Sequence, residues 1–228
     1  MEVHLPKPLH GWREFAGEVG IIVLGVLIAL GAEQFVEALH WRHEVHDTRE
    51  AIDAELSRDL AALQFRLDQR ACVAQRAAEL DRWSREIGSG HHLRLKKPVD
   101  QPIYFAIRTA VWDSTTGEVM SRMPLEAKLN YAALYSSMKS FEELLRDEAD
   151  QWTIVVSYEE NKDLDRRELH EVRAAINDIK FSNEFVEVFK TRGDEFSSKL
   201  GLRPERDIAG KLRRHADQTN RALCEPLL

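Results

Sequence analysis

The chain has 228 residues, 43% of them hydrophobic and 31% charged, with a formal net charge of −7. That mixture describes a folded, charge-rich protein and excludes a disordered one. The negative balance argues against nucleic acid as a partner. Set apart from an apolar N-terminal stretch, the rest is one ordinary domain with chain enough for a sizeable core.

Residues 1–11 read as a short tail, because Pro6 and Pro8 oppose helix. Residues 12–42 read as a membrane anchor. Within them, 19–32 carry no charge. At about 1.5 Å per residue this run covers roughly 21 Å, short of the roughly 30 Å hydrocarbon core. Extended to 16–36, with Ala16 and Val36 at its ends, it covers about 31 Å and spans. The extension takes in Glu18 and Glu33 near opposite ends, where a carboxylate reaches water or takes a proton. These two could belong to a proton path, but one helix forms no pore. Their plainer role is a carboxylate at each boundary. Trp12 and Trp41 then lie about 43 Å apart, as an aromatic belt would.

Two other readings compete with the span. A buried helix of a soluble domain has the same composition. A cleaved signal peptide fits poorly, because the start is not strongly basic and no small-residue cleavage site follows. Ala16 with Gly20, and Gly25 with Ala29, are small-xxx-small pairs, a face on which two membrane helices can approach closely. A homo-oligomer through this glycine-rich face is therefore one expectation, beside the lipid bilayer and a protein partner of unknown kind.

Gly17, Glu18, Gly25, Val26, Leu27, Ile28, Ala29 and Leu30 carry a resemblance. The pattern, a Gly-Glu pair followed by an aliphatic run ending in G-[IV]-L-I-A-L, resembles the N-terminal segment of an uncharacterised family of bacterial single-pass membrane proteins. It covers about the first fifth of the chain. A weaker patch involves Trp112, Ser114, Gly117, Met123 and Pro124. The resemblance implies a topology and no chemistry: a bacterial inner-membrane protein with a single span and a periplasmic body. The positive-inside count does not decide orientation, with Lys7 and Arg13 before the span and Arg42, Arg49 and Arg58 after it.

Residues 43–228 read as a helical body. Leu56, Leu60, Leu63, Leu67, Ala71, Ala74, Leu80, Trp83 and Ile87 keep helical spacing, so the first helix is expected to run unbroken to Gly88. Residues 91–102 are a basic, proline-marked loop; His91, His92, Arg94, Lys96 and Lys97 could meet lipid headgroups or an acidic partner, or simply be solvated. Residues 103–112 read as a short helix and 113–118 as a break, with Thr115 and Glu118 spaced as a capping box.

A long helix is predicted over 125–160, from Tyr131, Leu134, Met138, Phe141, Leu145, Ala149, Trp152 and Val156. Another carries Leu169, Val172, Ile176, Ile179, Phe185, Val186, Phe189 and Phe196, with a weak point at Ser182 or Gly193 and a stop at Gly201. Pro204 suits the opening of a last helix, to about Leu223. The fold class is all-α: a transmembrane helix continuing into an antiparallel bundle of about four main helices.

Few constellations could carry chemistry. His40, His43 and His46, with Glu37 one step back, are spaced to share a face, so two imidazoles could hold a metal; ordinary interfacial residues are the plainer reading. Glu168 and Glu171 could extend such a set, but no second Glu-x-x-His accompanies them. Asp113, Ser114, Thr115, Thr116 and Gly117 lack any phosphate-binding loop, and the hydroxyls suffice as caps. Trp112, Tyr131, Tyr135 and Trp152 could line a pocket, though aromatics at this spacing usually form core.

Cys72 and Cys224 form no CxxC motif. In an exported body they can form one disulfide, worth roughly 4–5 kcal/mol on the chain-entropy argument; elsewhere they would be two unrelated thiols. No enzyme activity and no cofactor are expected. The expected role is a membrane-anchored interaction or sensory protein. An accessory subunit of a larger membrane complex and a metal-binding bundle are the alternatives.

Overall fold

The computed structural model describes residues 11–91, 93–115, 117–161, 163–206, 210, 214 and 221–228. It is all-α: six helices are delimited and no strand occurs among the described residues. They are α1 (Trp12–Asp68), α2 (Arg70–Gly88), α3 (Ala110–Ser114), α4 (Gly117–Arg122), α5 (Leu125–Ser157) and α6 (Arg166–Leu200). Arg206, Gly210, Arg214 and residues 221–224 are helical too. The expected tail, the middle of the last helix, His92 and Thr116 lie outside the described residues, wholly or in part. By compactness the chain divides into two units, Met1–Asp47 and Thr48–Leu228.

In the first unit, α1 carries the apolar stretch and buries none of it. Ile21, Leu27 and Ile28 are 74, 61 and 63% exposed. This is the one described helix long and apolar enough to cross a membrane.

The second unit is a bundle built on two apolar clusters. One joins Ile52, Leu56, Leu60 and Leu63 of α1 to Tyr131, Leu134, Met138 and Phe141 of α5 and Val186 and Phe189 of α6. The other joins Val73, Leu80 and Trp83 of α2 to Trp152 and Val155 of α5 and to Val172, Ile176 and Ile179 of α6. Side-chain pairings give the directions. Asp53 meets Tyr131, Glu55 meets Tyr135 and Arg66 meets Glu148, so the end of α1 and α5 run the same way. Arg66 meets Asn183 and Arg173 meets Ser84, so α6 runs against α1 and α2. Two parallel neighbours require a crossover, and residues 89–124 supply it by returning along the bundle.

Local chemistry explains the helix ends. Asp165 accepts from the N–H groups of Arg167 and Glu168, and Glu168 returns the bond to Asp165 N, a complete capping box. Gly201 ends α6 with a φ of 73°, a left-handed conformation that costs glycine least.

Four expectations need correction. The first long helix breaks at Gln69, whose N–H reaches back three residues to Arg66 O. There Asn183 inserts from α6, donating to Arg70 O and accepting from Arg66, and an inserted side chain is a usual cause of a kink. Residues 103–109 are not helical; only Ala110–Ser114 is. Their burial alternates, with Ile103, Phe105 and Ile107 inward and Tyr104, Ala106 and Arg108 outward, which is extended periodicity. The hydroxyl of Thr115 donates to Val111 O at the end of α3 and does not cap α4. And α6 is continuous through Ser182 and Gly193, both buried on its packed side.

Candidate functional site

On α1, Ala16, Gly20, Gly25, Ala29 and Val36 are exposed, as are Trp12, Glu18 and Glu33. A Cβ added at Gly17, Gly20, Gly25 or Gly31 would meet nothing. Among the described residues, 12–13 and 15–40 of this helix are all exposed. In water such a contiguous apolar surface is unfavourable, and soluble monomers rarely expose one. Trp41 is half-buried and donates from its indole to Glu37 at 3.2 Å, and its ring lies 5.4 Å from that of His40. Glu37 is thereby engaged by an indole. No group of three or more potential metal ligands assembles among the described residues, His40, His43 and His46 included. Glu168 and Glu171, the other candidates, cap α6 and accept from Tyr158 at 3.0 Å.

Within the body, Cys72 and Cys224 are joined in a disulfide. It ties the C-terminal segment to α2, and a set of polar bonds reinforces it. Arg76, fully buried, donates from Nη2 to the carbonyls of Ala222, Leu223 and Glu225. Burial pulls its guanidinium below the ordinary arginine range, opposed by Glu79. Lys97 donates to Ala222 O and to Glu225, and Lys96 N donates to Leu227 O. Of the basic-loop side chains, Lys97 is thus spent on the chain's own C-terminal segment, whereas Lys96 contributes its backbone N–H and is exposed. His91 lies 3.0 Å from Glu86. Arg94 lines an open cleft of about 570 Å³ with Trp83, Leu93, Pro98 and Glu159. The size suits a small molecule. Its lining of one indole, two aliphatic walls and charges of both signs selects no particular one.

The third arrangement is the dock for the crossover. Glu55 and Asp59 sit one turn apart on α1, 5 and 3% exposed. Glu55 accepts from Tyr135 Oη at 2.7 Å and from Val111 N at 3.0 Å. Asp59 Oδ1 accepts from Arg108 N at 3.2 Å, while its Oδ2 has no hydrogen-bond partner among the described residues. Burial pushes the Asp59 carboxyl up to about 7; Glu55 and Glu142 add to this, against the Arg108 N–H and guanidinium. Burial also raises Tyr135, as does its bond to Glu55, and lifts Tyr131, bonded to Asp53, to about 12. Both phenols therefore act as neutral donors.

The aromatic set does not converge. Trp112 lies 4.9 Å from Tyr135 and 6.5 Å from Tyr131 by ring centroid, packed on the first cluster, whereas Trp152 belongs to the second. Asp113 accepts from Thr109 at 2.6 Å, and Ser114 donates to Val111 O; neither faces a nucleophile–base arrangement. Sequence reasoning passed over Glu55, Asp59 and Arg66. The signal for the first two was a pair of acids at helical spacing among core leucines, opposite the alternating Ile103, Phe105 and Ile107.

Compared with models of known families, with curated proteins and with solved structures, the chain matches none.

Proposed function

We propose that the chain is a single-pass inner-membrane protein of bacteria whose helical body works in the periplasm as an interaction or sensory module. The carrying observation is the apolar length of α1, none of whose most apolar 18-residue window is buried in the chain. Lipid is the solvent in which that surface costs nothing, and a helix satisfies its backbone bonds there unaided. The Cys72–Cys224 disulfide supports the exported side, because such bonds persist in oxidising compartments. The body also carries an open cleft of small-molecule size beside Trp83 and Arg94, which supports a binding or sensing role.

Extraction of isolated membranes with alkaline carbonate tests the anchor. The protein should stay in the pellet; release into the supernatant would overturn the reading. Thiol labelling of intact and lysed cells tests the side. Both cysteines should resist labelling until a reductant is added, and prompt labelling on lysis alone would contradict a periplasmic disulfide.

A further inference from the structure

We propose that the crossover 103–111 is a proton-operated strap, which lies docked on α1 when Asp59 is protonated and lifts from the seam between α1 and α5 when Asp59 is ionised. The inference concerns the body alone and stands whether or not the anchor reading does. If that reading holds, it says what the body would sense.

Geometry makes the case. The strap has no helical bonds of its own over 103–109, so its attachment is lateral. Its backbone is fixed to α1 by the N–H groups of Arg108 and Val111, bound to Asp59 and Glu55. Its side chains add an edge-on contact of Phe105 with Phe65, burial of Ile107, and a bond from Tyr104 Oη to Glu142 of α5 at 3.0 Å. Of these attachments, Asp59 is the one left incomplete. One of its oxygens takes a single bond and the other takes none among the described residues. A buried carboxylate in that state is costly, and a neutral carboxyl far less so.

The charged and titratable groups around Asp59 do not relieve it. Glu55 comes from α1 itself, Arg108 from the strap, and Glu142 and Tyr135 from α5. From α6 the same cluster receives Val186 and Phe189, which are apolar. Arg58, the neighbour on α1, is exposed and paired with Glu205. Two acids outweigh one arginine that lies on the outward side of the strap.

The direction follows from linkage. Docked, Asp59 holds its proton up to a pH of about 7; lifted into water, it sheds it near 4. Between those values the docked state holds one proton more than the lifted one. Its share therefore falls by up to about tenfold per pH unit as pH rises, and levels off above 7. The proton comes from solvent and returns to it. Acid closes the strap and neutrality loosens it.

Hydrogen exchange of the full chain in detergent, read on peptides covering 103–112 and corrected for the intrinsic pH dependence of exchange, tests this. Protection should fall by up to tenfold per unit between pH 5 and 7 and then level off, at a level below that of α6 peptides, so that lifting is read apart from global unfolding. In Asp59→Asn, whose amide mimics the neutral carboxyl, the slope should vanish. A flat profile in the unsubstituted chain, or an equal slope in both chains, overturns the proposal. Should Asp59→Asn fail to fold, the carboxyl-carbon resonance of Asp59 in the unsubstituted chain decides: a midpoint near 7 supports the strap and one near 4 ends it.

Discussion

Arg66 Nη2 donates to both carboxylate oxygens of Glu148, at 2.8 and 2.9 Å, with both side chains shut off from water. The pair lies where α1 breaks, and Asn183 completes it by accepting from Nη1 and Nη2 of the same guanidinium. Glu148 also receives the indole N–H of Trp152 at 3.3 Å. Both charges are paired and hydrogen-bonded, which is the condition under which burial is tolerated.

From that arrangement we expect a large asymmetry between single and double substitutions. Glu148→Gln strands a buried guanidinium and should destabilise the body by about 3–5 kcal/mol. Arg66→Met combined with Glu148→Leu removes both charges and should cost far less, or nothing. Urea unfolding followed by circular dichroism gives both values; equal losses would mean that the charges were already hydrated.

The disulfide supports a second expectation. Cys72 and Cys224 are 152 residues apart in sequence, so the bond closes most of the body into a loop. Its loss should lower stability by about 5 kcal/mol on the chain-entropy argument. Arg76 and Lys97 would still hold the C-terminal segment by its carbonyls. Reduction should therefore shift the unfolding midpoint before it frees that segment, and limited proteolysis with and without reductant would show the order.

Global stability should carry the signature of Asp59. Its folded value, near 7, exceeds the ordinary 3.8, so the folded chain retains a proton that the unfolded chain has lost. That contribution is complete below about pH 4 and disappears as pH rises through 7, by at most about 4 kcal/mol. Asp59→Asn should accordingly look progressively more stable relative to the parent as pH rises from 4 to 7. Parallel stability curves would show that Asp59 is hydrated when folded.

The ends of α6 offer smaller tests. Asp165→Ala removes an acceptor of two N–H groups and should cost about 1 kcal/mol. Gly201→Ala forces a side chain into the left-handed region and should cost about 1–2 kcal/mol. Neither residue lies on α1, so neither substitution should alter retention in the carbonate pellet.

For the anchor, Val26→Arg places a charge at the middle of the expected span. It should oppose insertion by about 3 kcal/mol and release a measurable fraction of the protein into the carbonate supernatant. Arg in place of Trp12, at the edge, should change little. Equal retention of all three chains would sink the span.

What the sequence determined by itself is what depends on local pattern. Apolar residues at intervals of three and four in α5, the Asp165–Glu168 cap, the left-handed Gly201 and the uncharged run of α1 each act within a few residues of themselves. Tertiary structure decided what depends on partners far along the chain. Helical spacing runs through Gln69 without interruption, yet Asn183, more than a hundred residues later, opens a break there. Ile103, Phe105 and Ile107 alternate like a strand, and the segment is held on α1 where Asp59 and Glu55 accept the N–H groups of Arg108 and Val111. A short apolar segment has no conformation of its own to defend, so the surface it lands on chooses one.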